Sequence, residues 1–199
     1  MPVLDASHTD QIVAALAAGE VVALPTDTVY GLAALPTDAA AVERLYELKG
    51  RDPAQPIALL IDAPARAAAL VDPPPAFAAL AARWPGPLTL VVRALARAGL
   101  APRLVGPGGG VGVRQPDDTL ALAVIRACGG VLAVTSANRS GEPPLTTAAA
   151  IAARFGPDLL ILDGGLREGV ASTVVDLTVE PPLVLREGPL TAAALGLAP

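Results

Sequence analysis

Residues 20–32 read EVVALPTDTVYGL, a short apolar run that leads directly into a turn rich in hydroxyl groups. The apolar and β-branched residues at 20–24 predict a buried strand, and the segment 25–32 that follows predicts a turn. On both sides of this stretch, other short apolar runs alternate with segments of helical periodicity. Such alternation is typical of an α/β protein with a mixed sheet.

Helix start and stop signals agree with this interpretation. Gly19 and Gly50 are natural C-terminal stops, Ser7 or Thr9 can cap the first helix, and Asp118 can cap a later one. We predict helices from Ser7 or Thr9 to Ala18 and over 37–48, 118–127 and 146–155. We predict strands at 20–24, 56–61, 88–92, 131–135, 159–162, 173–178 and 183–185, and a further strand that ends at Arg114. The length of 199 residues predicts one domain, with a core over about 10–188 and a short helix over 189–199.

Composition limits the classes of protein to consider. The formal net charge is −5 and the sequence pI is about 4.8, which argues against a broad basic surface for long nucleic acids but leaves room for a small basic pocket. The acidic N-terminus does not resemble a signal peptide, and no apolar stretch reaches the roughly 20 residues of a membrane span. We therefore expect a soluble, cytoplasmic protein in which the one cysteine, Cys128, is a buried, inert thiol.

Several common catalytic sites are excluded by the motifs. Lys49 is not preceded by the glycine pattern of a Walker A loop, and the glycines at 106–112 lead into a strand and do not match a dinucleotide fingerprint. His8, the only histidine, lies near the N-terminus and is expected to be solvated beside a helix cap. No Cys/His cluster is available for zinc. Any catalysis here therefore uses a nucleophile and a leaving group that the substrates bring.

Polar residues follow or end several predicted strands, where ligands collect in α/β sheets. Lys49 is the only lysine, and its compact ammonium two residues before the flat guanidinium of Arg51 suits a phosphate-bearing ligand. Hydroxyls, amides and fixed cations in one crevice would suit phosphate and carboxylate groups together. Each residue also has a structural explanation as a helix-end cation, a turn former or a surface charge. The candidates are Thr26, Thr28, Lys49, Arg51, Gln55, Arg114, Thr135, Ser136, Asn138, Ser172, Thr173 and Arg186.

The chain resembles the YrdC/TsaC family, the L-threonylcarbamoyladenylate synthases. Seven blocks occur in the order typical of that family, from about Val21 to Gly188: PTDTVYGL, KGR, WPGPLT, VGVRQP, TSANRSG, ASTVVDLT and LREG. The resemblance implies an α/β fold, a twisted mixed parallel and antiparallel sheet with flanking helices around a concave, positively lined crevice. It also implies a reaction in which L-threonine, bicarbonate and ATP give threonylcarbamoyl-AMP and pyrophosphate, for the t6A modification of tRNA.

The resemblance also implies roles for individual residues. Thr28, Arg114 and Ser172 match positions that bind threonine. Our hypothesis is that Lys49 and Arg51 act in catalysis by offsetting the charge of the triphosphate. No protein side chain is expected to bind a metal; Mg²⁺ would arrive on the phosphates of ATP. Leu60 departs from the family, in which this position near the threonine is often polar or histidine. The positions that match the ATP site are Lys49, Arg51, Gln55, Gly110, Ser136, Asn138 and Arg186.

Further expectations concern partners and alternatives. The product would pass to a tRNA threonylcarbamoyl-transferase complex, with weak or transient tRNA binding and no membrane association. The chain ends eleven residues after Gly188, so no additional C-terminal domain is expected. One alternative is an RNA-binding or ribosome-maturation module, although five aromatic residues offer little for base stacking. Another is a relative that forms a carbamoyl-adenylate from carbamoyl phosphate.

Overall fold

A computed structural model describes residues 3–52 and 54–197. The strands within these residues are β1 (Val3–Leu4), β2 (Val22–Leu24), β3 (Gly31–Ala34), β4 (Ala58–Ile61), β5 (Val71–Asp72), β6 (Leu88–Ala94), β7 (Gly110–Arg114), β8 (Val131–Ser136), β9 (Leu160–Leu162), β10 (Thr173–Asp176) and β11 (Leu183–Arg186). The helices are α1 (Thr9–Ala17), α2 (Ala39–Lys49), α3 (Ala67–Leu70), α4 (Phe77–Ala81), α5 (Thr119–Ala127) and α6 (Ala148–Phe155).

The strands form one mixed sheet in the order β1-β9-β2-β3-β8-β4-β7-β6-β10-β11, with β5 added beside β6. Four pairs are parallel (β1 with β9, β2 with β9, β4 with β7, β6 with β10). The pairs β2–β3, β3–β8, β4–β8, β6–β7, β5–β6 and β10–β11 are antiparallel. The expected mixed parallel and antiparallel α/β sheet is therefore confirmed.

The two faces of the sheet are covered unequally. Alternate strand residues such as Leu59 and Val113 pack on one side with α2, α3, α4 and α6. On the other side, Val22, Leu60 and Leu132 pack with α1 and α5. Among the described residues, the buried strand members of this second cluster come from β2, β3, β4, β8 and β9, and Leu4 of β1 packs against them; none comes from β7, β6, β10 or β11. The uncovered part of this face is where the candidate site forms.

Most predicted elements are present with shifted ends. The 37–48 helix begins at Ala39, after Asp38 accepts a hydrogen bond from the Ala41 N–H, and it ends at Gly50, whose φ of 61° is left-handed. Asp118 caps α5 as expected. The predicted Ser7 or Thr9 cap is wrong, because α1 has no side-chain cap.

Five elements were not predicted from the sequence: β1, β3, β5, α3 and α4. β1 and β5 have two residues each, β3 reads Gly-Leu-Ala-Ala without a β-branched residue, and α3 and α4 have four and five residues. Strand β3 thus occupies the end of the predicted turn at 25–32. The predicted C-terminal helix is a 3-10 turn, Ala193–Leu195, and residues 198–199 lie outside the described residues. Across the described residues, every helix is too short or too polar to span a bilayer.

Candidate active site

A cavity of about 320 Å³ lies on the uncovered face of the sheet. Its walls include Leu60, Val91 and Val134, which lie within strands β4, β6 and β8. The walls thus combine residues that follow or end strands, such as Thr28 and Arg114, with residues inside the strands. The strands themselves form much of the cavity, because α1 and α5 cover only part of this face.

Glycines on β7 keep the floor of this cavity open. Val111 and Val113 point to the opposite core, so positions 110 and 112 face the cavity. A Cβ at Gly112 would lie 3.0 Å from the Thr89 Cγ2 atom, and one at Gly110 would lie 3.0 Å from the Val91 Cγ1 atom. Any side chain at these two positions would therefore crowd the floor.

Arg114, at the end of β7, is the most buried cation of the cavity wall. It is 5% exposed. Its Nε donates to the Gly86 carbonyl at 2.9 Å, one terminal nitrogen donates to Thr28 Oγ1 at 3.1 Å, and the other pairs with Asp27 Oδ1 at 2.5 Å. Burial lowers the pKa of Arg114, and the Asp27 carboxylate opposes that effect. Arg114 therefore has a fixed orientation before any ligand arrives.

Arg51 and Arg186 also line the cavity, and neither forms an ion pair with a carboxylate in the described part of the chain. Arg51 donates to the carbonyls of Gln55 and Pro56, and Arg186 donates to the Ser172 carbonyl at 2.8 and 3.0 Å. Loss of hydration lowers the pKa of both groups, and the charges of Arg114 and Arg51 lower that of Arg186 further. Positive charges that repel one another in an open cavity favour an anionic ligand.

Two hydroxyls join β6 to the segment that precedes β10. Ser172 Oγ lies 2.8 Å from Thr89 Oγ1, and an Arg186 nitrogen lies 3.3 Å from the same Ser172 oxygen. Thr89 also lines the cavity, and the sequence analysis did not include it among the candidates. Its place in the WPGPLT block was the available signal.

Loop 25–30 forms another wall of the cavity. Thr26 Oγ1 donates to the Val29 carbonyl and accepts from the Thr28 and Val29 N–H groups, which makes a compact turn. The Tyr30 hydroxyl donates to the Gly165 carbonyl at 2.8 Å and accepts from the Gly164 N–H at 3.0 Å. The turn is therefore tied to the segment that leads from β9 to Ser172.

Lys49 occupies a second, adjoining cavity of about 300 Å³. Its ammonium donates to the Ser136 carbonyl, Ser136 Oγ and Asn138 Oδ1 at 2.7, 2.9 and 2.5 Å. Gln55 and Asn138 line this second cavity, Arg51 lines both, and Ser136 lines the first. The predicted cluster is thus divided between two neighbouring cavities, and the three N–H donors of Lys49 are all bound to protein oxygens.

The remaining candidates have different placements. Gly110 and Thr135 line the first cavity, whereas Thr173 does not: its hydroxyl donates to the Leu190 carbonyl and accepts from Gly188 and Leu190 N–H groups. Thr173 is therefore structural. Cys128 is only half-buried, and burial raises its pKa. Within residues 3–52 and 54–197, no three His, Cys, Asp or Glu side chains come together as metal ligands.

Burial, with a smaller contribution from Arg51, lowers the pKa of Lys49 to about 8, which predicts a pH-dependent stability. Between about pH 8 and 10.4 the unfolded chain keeps a proton on this lysine that the native state has released. The contribution of Lys49 to the unfolding free energy should therefore rise with pH across this interval, by up to about 3 kcal/mol, while the raised pKa values of Cys128, Tyr30 and Tyr46 act in the opposite direction. Urea denaturation at pH 7.5, 9 and 10 measures the slope. Lys49→Met should lack this contribution, and equal slopes for both proteins would contradict it.

The fold and cavity define a class of protein: an α/β protein with an arginine-lined cavity on the part of one sheet face that helices leave uncovered. A family model described as "Telomere recombination" (Sua5_yciO_yrdC) matches residues 14–188. The chain therefore belongs to the Sua5/YciO/YrdC family.

Three similar curated proteins are named threonylcarbamoyl-AMP synthase. A threonylcarbamoyl-AMP synthase of Pyrococcus abyssi is 42% identical over 177 residues, which cover 86% of this chain and 51% of the relative. The Bacillus subtilis synthase is 40% identical, with 91% of this chain and 53% of the relative covered. The chain thus spans about half the length of these two proteins. A Chromohalobacter salexigens synthase is 41% identical, and the match covers 83% of this chain and 90% of that protein.

Solved structures show the same fold. Pyrococcus abyssi Sua5 in complex with L-threonine has a TM-score of 0.89 at 35% identity, over 97% of this chain and 59% of that chain. Escherichia coli YciO has a TM-score of 0.88 over 97% of both chains at 23% identity, a likeness of fold alone.

Proposed function

We propose that this chain is an L-threonylcarbamoyladenylate synthase that converts L-threonine, bicarbonate and ATP to threonylcarbamoyl-AMP and pyrophosphate. The observation that carries the proposal is the gathering of Arg51, Arg114 and Arg186 in one cavity on the open sheet face. Arg51 and Arg186 lack an acidic partner among the described residues, which suits a ligand with several negative charges. The names of the relatives and the L-threonine complex of a similar protein support the same reaction.

The amino acid is assigned to the Arg114 side of the cavity. Arg114 binds its carboxylate, Thr28 and Ser172 seat it, and all three line the cavity. Leu60 is the register partner of Arg114 on the parallel strand β4 and also lines the cavity. An apolar wall at this place would contact the methyl group of threonine.

ATP is assigned to the part of the site formed by Arg51, Arg186, Lys49 and the glycine floor of the first cavity. Arg51 and Arg186 neutralise its phosphates, Gly110 and Ser136 contact the nucleotide in the first cavity, and Lys49, Gln55 and Asn138 contribute from the second. Lys49 and Arg51 are the catalytic residues of this scheme, because they stabilise the charge that moves to the leaving pyrophosphate. Since Lys49 is saturated by protein oxygens in this structure, its direct contact with phosphate requires a rearrangement around Ser136 and Asn138.

The reaction needs no histidine or cysteine. The threonine amine attacks the carbon of bicarbonate or carbon dioxide to form a carbamate. With bicarbonate one water is released, and with carbon dioxide the amine proton passes to solvent. A carbamate oxygen then attacks the α-phosphorus of ATP, the bond to the β-phosphate oxygen breaks, and pyrophosphate leaves. The protein aligns the two anions and offsets their charge, and alignment can lower a barrier by about 7–11 kcal/mol.

Two partners complete the proposal. Mg²⁺ arrives bound to the phosphates of ATP, which is how this ion is commonly held in nucleotide sites. The product passes to a tRNA threonylcarbamoyl-transferase complex, and tRNA itself binds weakly or transiently.

The test is a direct assay of product formation. Purified protein is incubated with ATP, magnesium, bicarbonate and labelled L-threonine, and an AMP adduct is sought by mass spectrometry while pyrophosphate is measured. We expect pyrophosphate release that depends on both threonine and bicarbonate. Release supported by carbamoyl phosphate in the absence of threonine would instead assign the chain to the carbamoyl-adenylate reaction, and no release in either case would refute the synthase.

A further inference from the structure

Asp27 is the one acidic residue that pairs with a cavity arginine in the described part of the chain. Its Oδ1 atom lies 2.5 Å from a terminal nitrogen of Arg114, and its side chain is 12% exposed. Thr28, bound to the other terminal nitrogen, lines the cavity, whereas Asp27 does not. Asp27 therefore contacts the arginine without forming part of the cavity wall.

The guanidinium of Arg114 is held by each of its three nitrogens. Nε is bound to the Gly86 carbonyl, and the terminal nitrogens are bound to Thr28 and Asp27. A guanidinium has five N–H donors, so two remain for a ligand. The Gly86 N–H in turn donates to the Gln115 carbonyl at 2.9 Å, which ties this anchor to the residue after Arg114.

The charges distinguish Arg114 from the other cavity arginines. Within the described residues, Arg51 and Arg186 are bound by carbonyl and hydroxyl oxygens alone, whereas Arg114, the most buried of the three, has a carboxylate. Placing an unpaired cation in this position beside Arg186 would be costly. The carboxylate of Asp27 offsets that cost and fixes the plane of the guanidinium in a single orientation.

We propose that Asp27 is a positioning residue for the amino acid substrate: it holds Arg114 in the orientation that receives the substrate carboxylate, and it does not itself contact the substrate. This inference rests on the proposed function, because it assigns the role of Arg114 to an amino acid carboxylate. It predicts an effect on one substrate only, since the phosphates of ATP are assigned to Arg51 and Arg186.

The test compares Asp27→Asn with the wild type in the pyrophosphate-release assay. We expect the KM for L-threonine to rise about 10- to 100-fold, since a displacement of about 1 Å in a binding group has effects of this size. The kcat and the KM for ATP should remain within about threefold, because the phosphate-binding arginines are untouched. Asp62→Asn is the matched control, because Asp62 pairs with Arg66 outside both cavities, and all its constants should match the wild type.

A double variant separates positioning from other roles. In an Arg114→Ala background, Asp27→Asn should cause no further rise in the KM for L-threonine, because its effect passes through Arg114. Asp27→Glu keeps the charge but moves the carboxylate by one methylene, and we expect an intermediate rise of about three- to tenfold. This variant also serves if Asp27→Asn does not fold.

Four outcomes would overturn the inference. An unchanged or lower KM for L-threonine would mean that Asp27 is neutral or competes with the substrate, and equal losses for threonine and ATP would indicate a purely structural role. A further loss in the Arg114→Ala background would indicate direct contact with the substrate. These results leave the proposed function intact if the wild type is active, whereas a wild type that neither binds L-threonine nor releases pyrophosphate would refute both.

Discussion

Arg114→Ala should raise the KM for L-threonine by about 100-fold or more, because truncating a buried, hydrogen-bonded charge at a ligand contact typically costs ~2–5 kcal/mol. Arg114 is the most buried cation of the cavity. Its partners Thr28, Asp27 and Gly86 carry no positive charge that could bind the substrate carboxylate in its place. The KM for ATP should change much less, since Arg51 and Arg186 remain. Steady-state kinetics with each substrate varied at saturation of the other measures both constants.

The variant needs a control for folding as well as for function. Removing Arg114 leaves the Asp27 carboxylate without its ion-pair partner, which can cost about 3–5 kcal/mol of stability. Circular dichroism and thermal melts must therefore show that the assay temperature lies below the transition. Arg66→Ala, which breaks the Arg66–Asp62 pair outside both cavities, should leave both constants unchanged. Equal increases in both KM values for Arg114→Ala would remove Arg114 from the amino acid site.

Arg51→Ala and Arg186→Ala should weaken the binding of ATP without lowering the stability of the fold. Each removes a cation without an acidic partner in the described residues, so the KM for ATP should rise about 10- to 100-fold, as expected for a lost charge-assisted phosphate contact. The repulsion among the three guanidinium groups falls at the same time. The melting temperature of Arg186→Ala should therefore stay unchanged or rise, while its affinity for ATP falls.

A loss of ATP affinity without a loss of stability distinguishes a ligand-binding arginine from a structural one. Kinetics with varied ATP and thermal melts without ligand measure the two effects separately. Arg126→Ala, at an exposed position near the end of α5, should change neither quantity. A clear loss of stability in Arg186→Ala without an effect on ATP would show that Arg186 serves the fold.

Much of the fold could be predicted from local signals. Gly50 ends α2 in a left-handed conformation and Asp118 caps α5, because caps and stops depend on a few neighbouring residues. Strand β3 could not be predicted in this way, because Gly-Leu-Ala-Ala has little intrinsic strand preference and is held between β2 and β8. Its pairing is a property of the whole sheet.

The site shows the same division. Most candidate residues, though not Gln55 or Gly110, lie in the sequence blocks, but their partners are far away in sequence. Arg114 contacts Thr28 and Asp27, which lie 86 and 87 positions earlier, and Lys49 contacts Asn138, which lies 89 positions later. Asp27 was not a candidate, because the role of its carboxylate depends on the ion pair with Arg114, which the sequence does not reveal. The position of the first cavity depends on which part of one sheet face α1 and α5 leave open, and no local pattern encodes that.

The central claim is that one cavity on the open face of the sheet aligns an amino acid and ATP through Arg114 on one side and Arg51 and Arg186 on the other. A crystal structure with L-threonine and a non-hydrolysable ATP analogue tests it most directly. The threonine carboxylate should lie within hydrogen-bonding distance of Arg114, and the phosphates should contact Arg51 and Arg186 above Gly110 and Gly112. Threonine density outside this cavity, phosphates that do not contact Arg51 and Arg186, or a threonine that does not contact Arg114 would contradict the account.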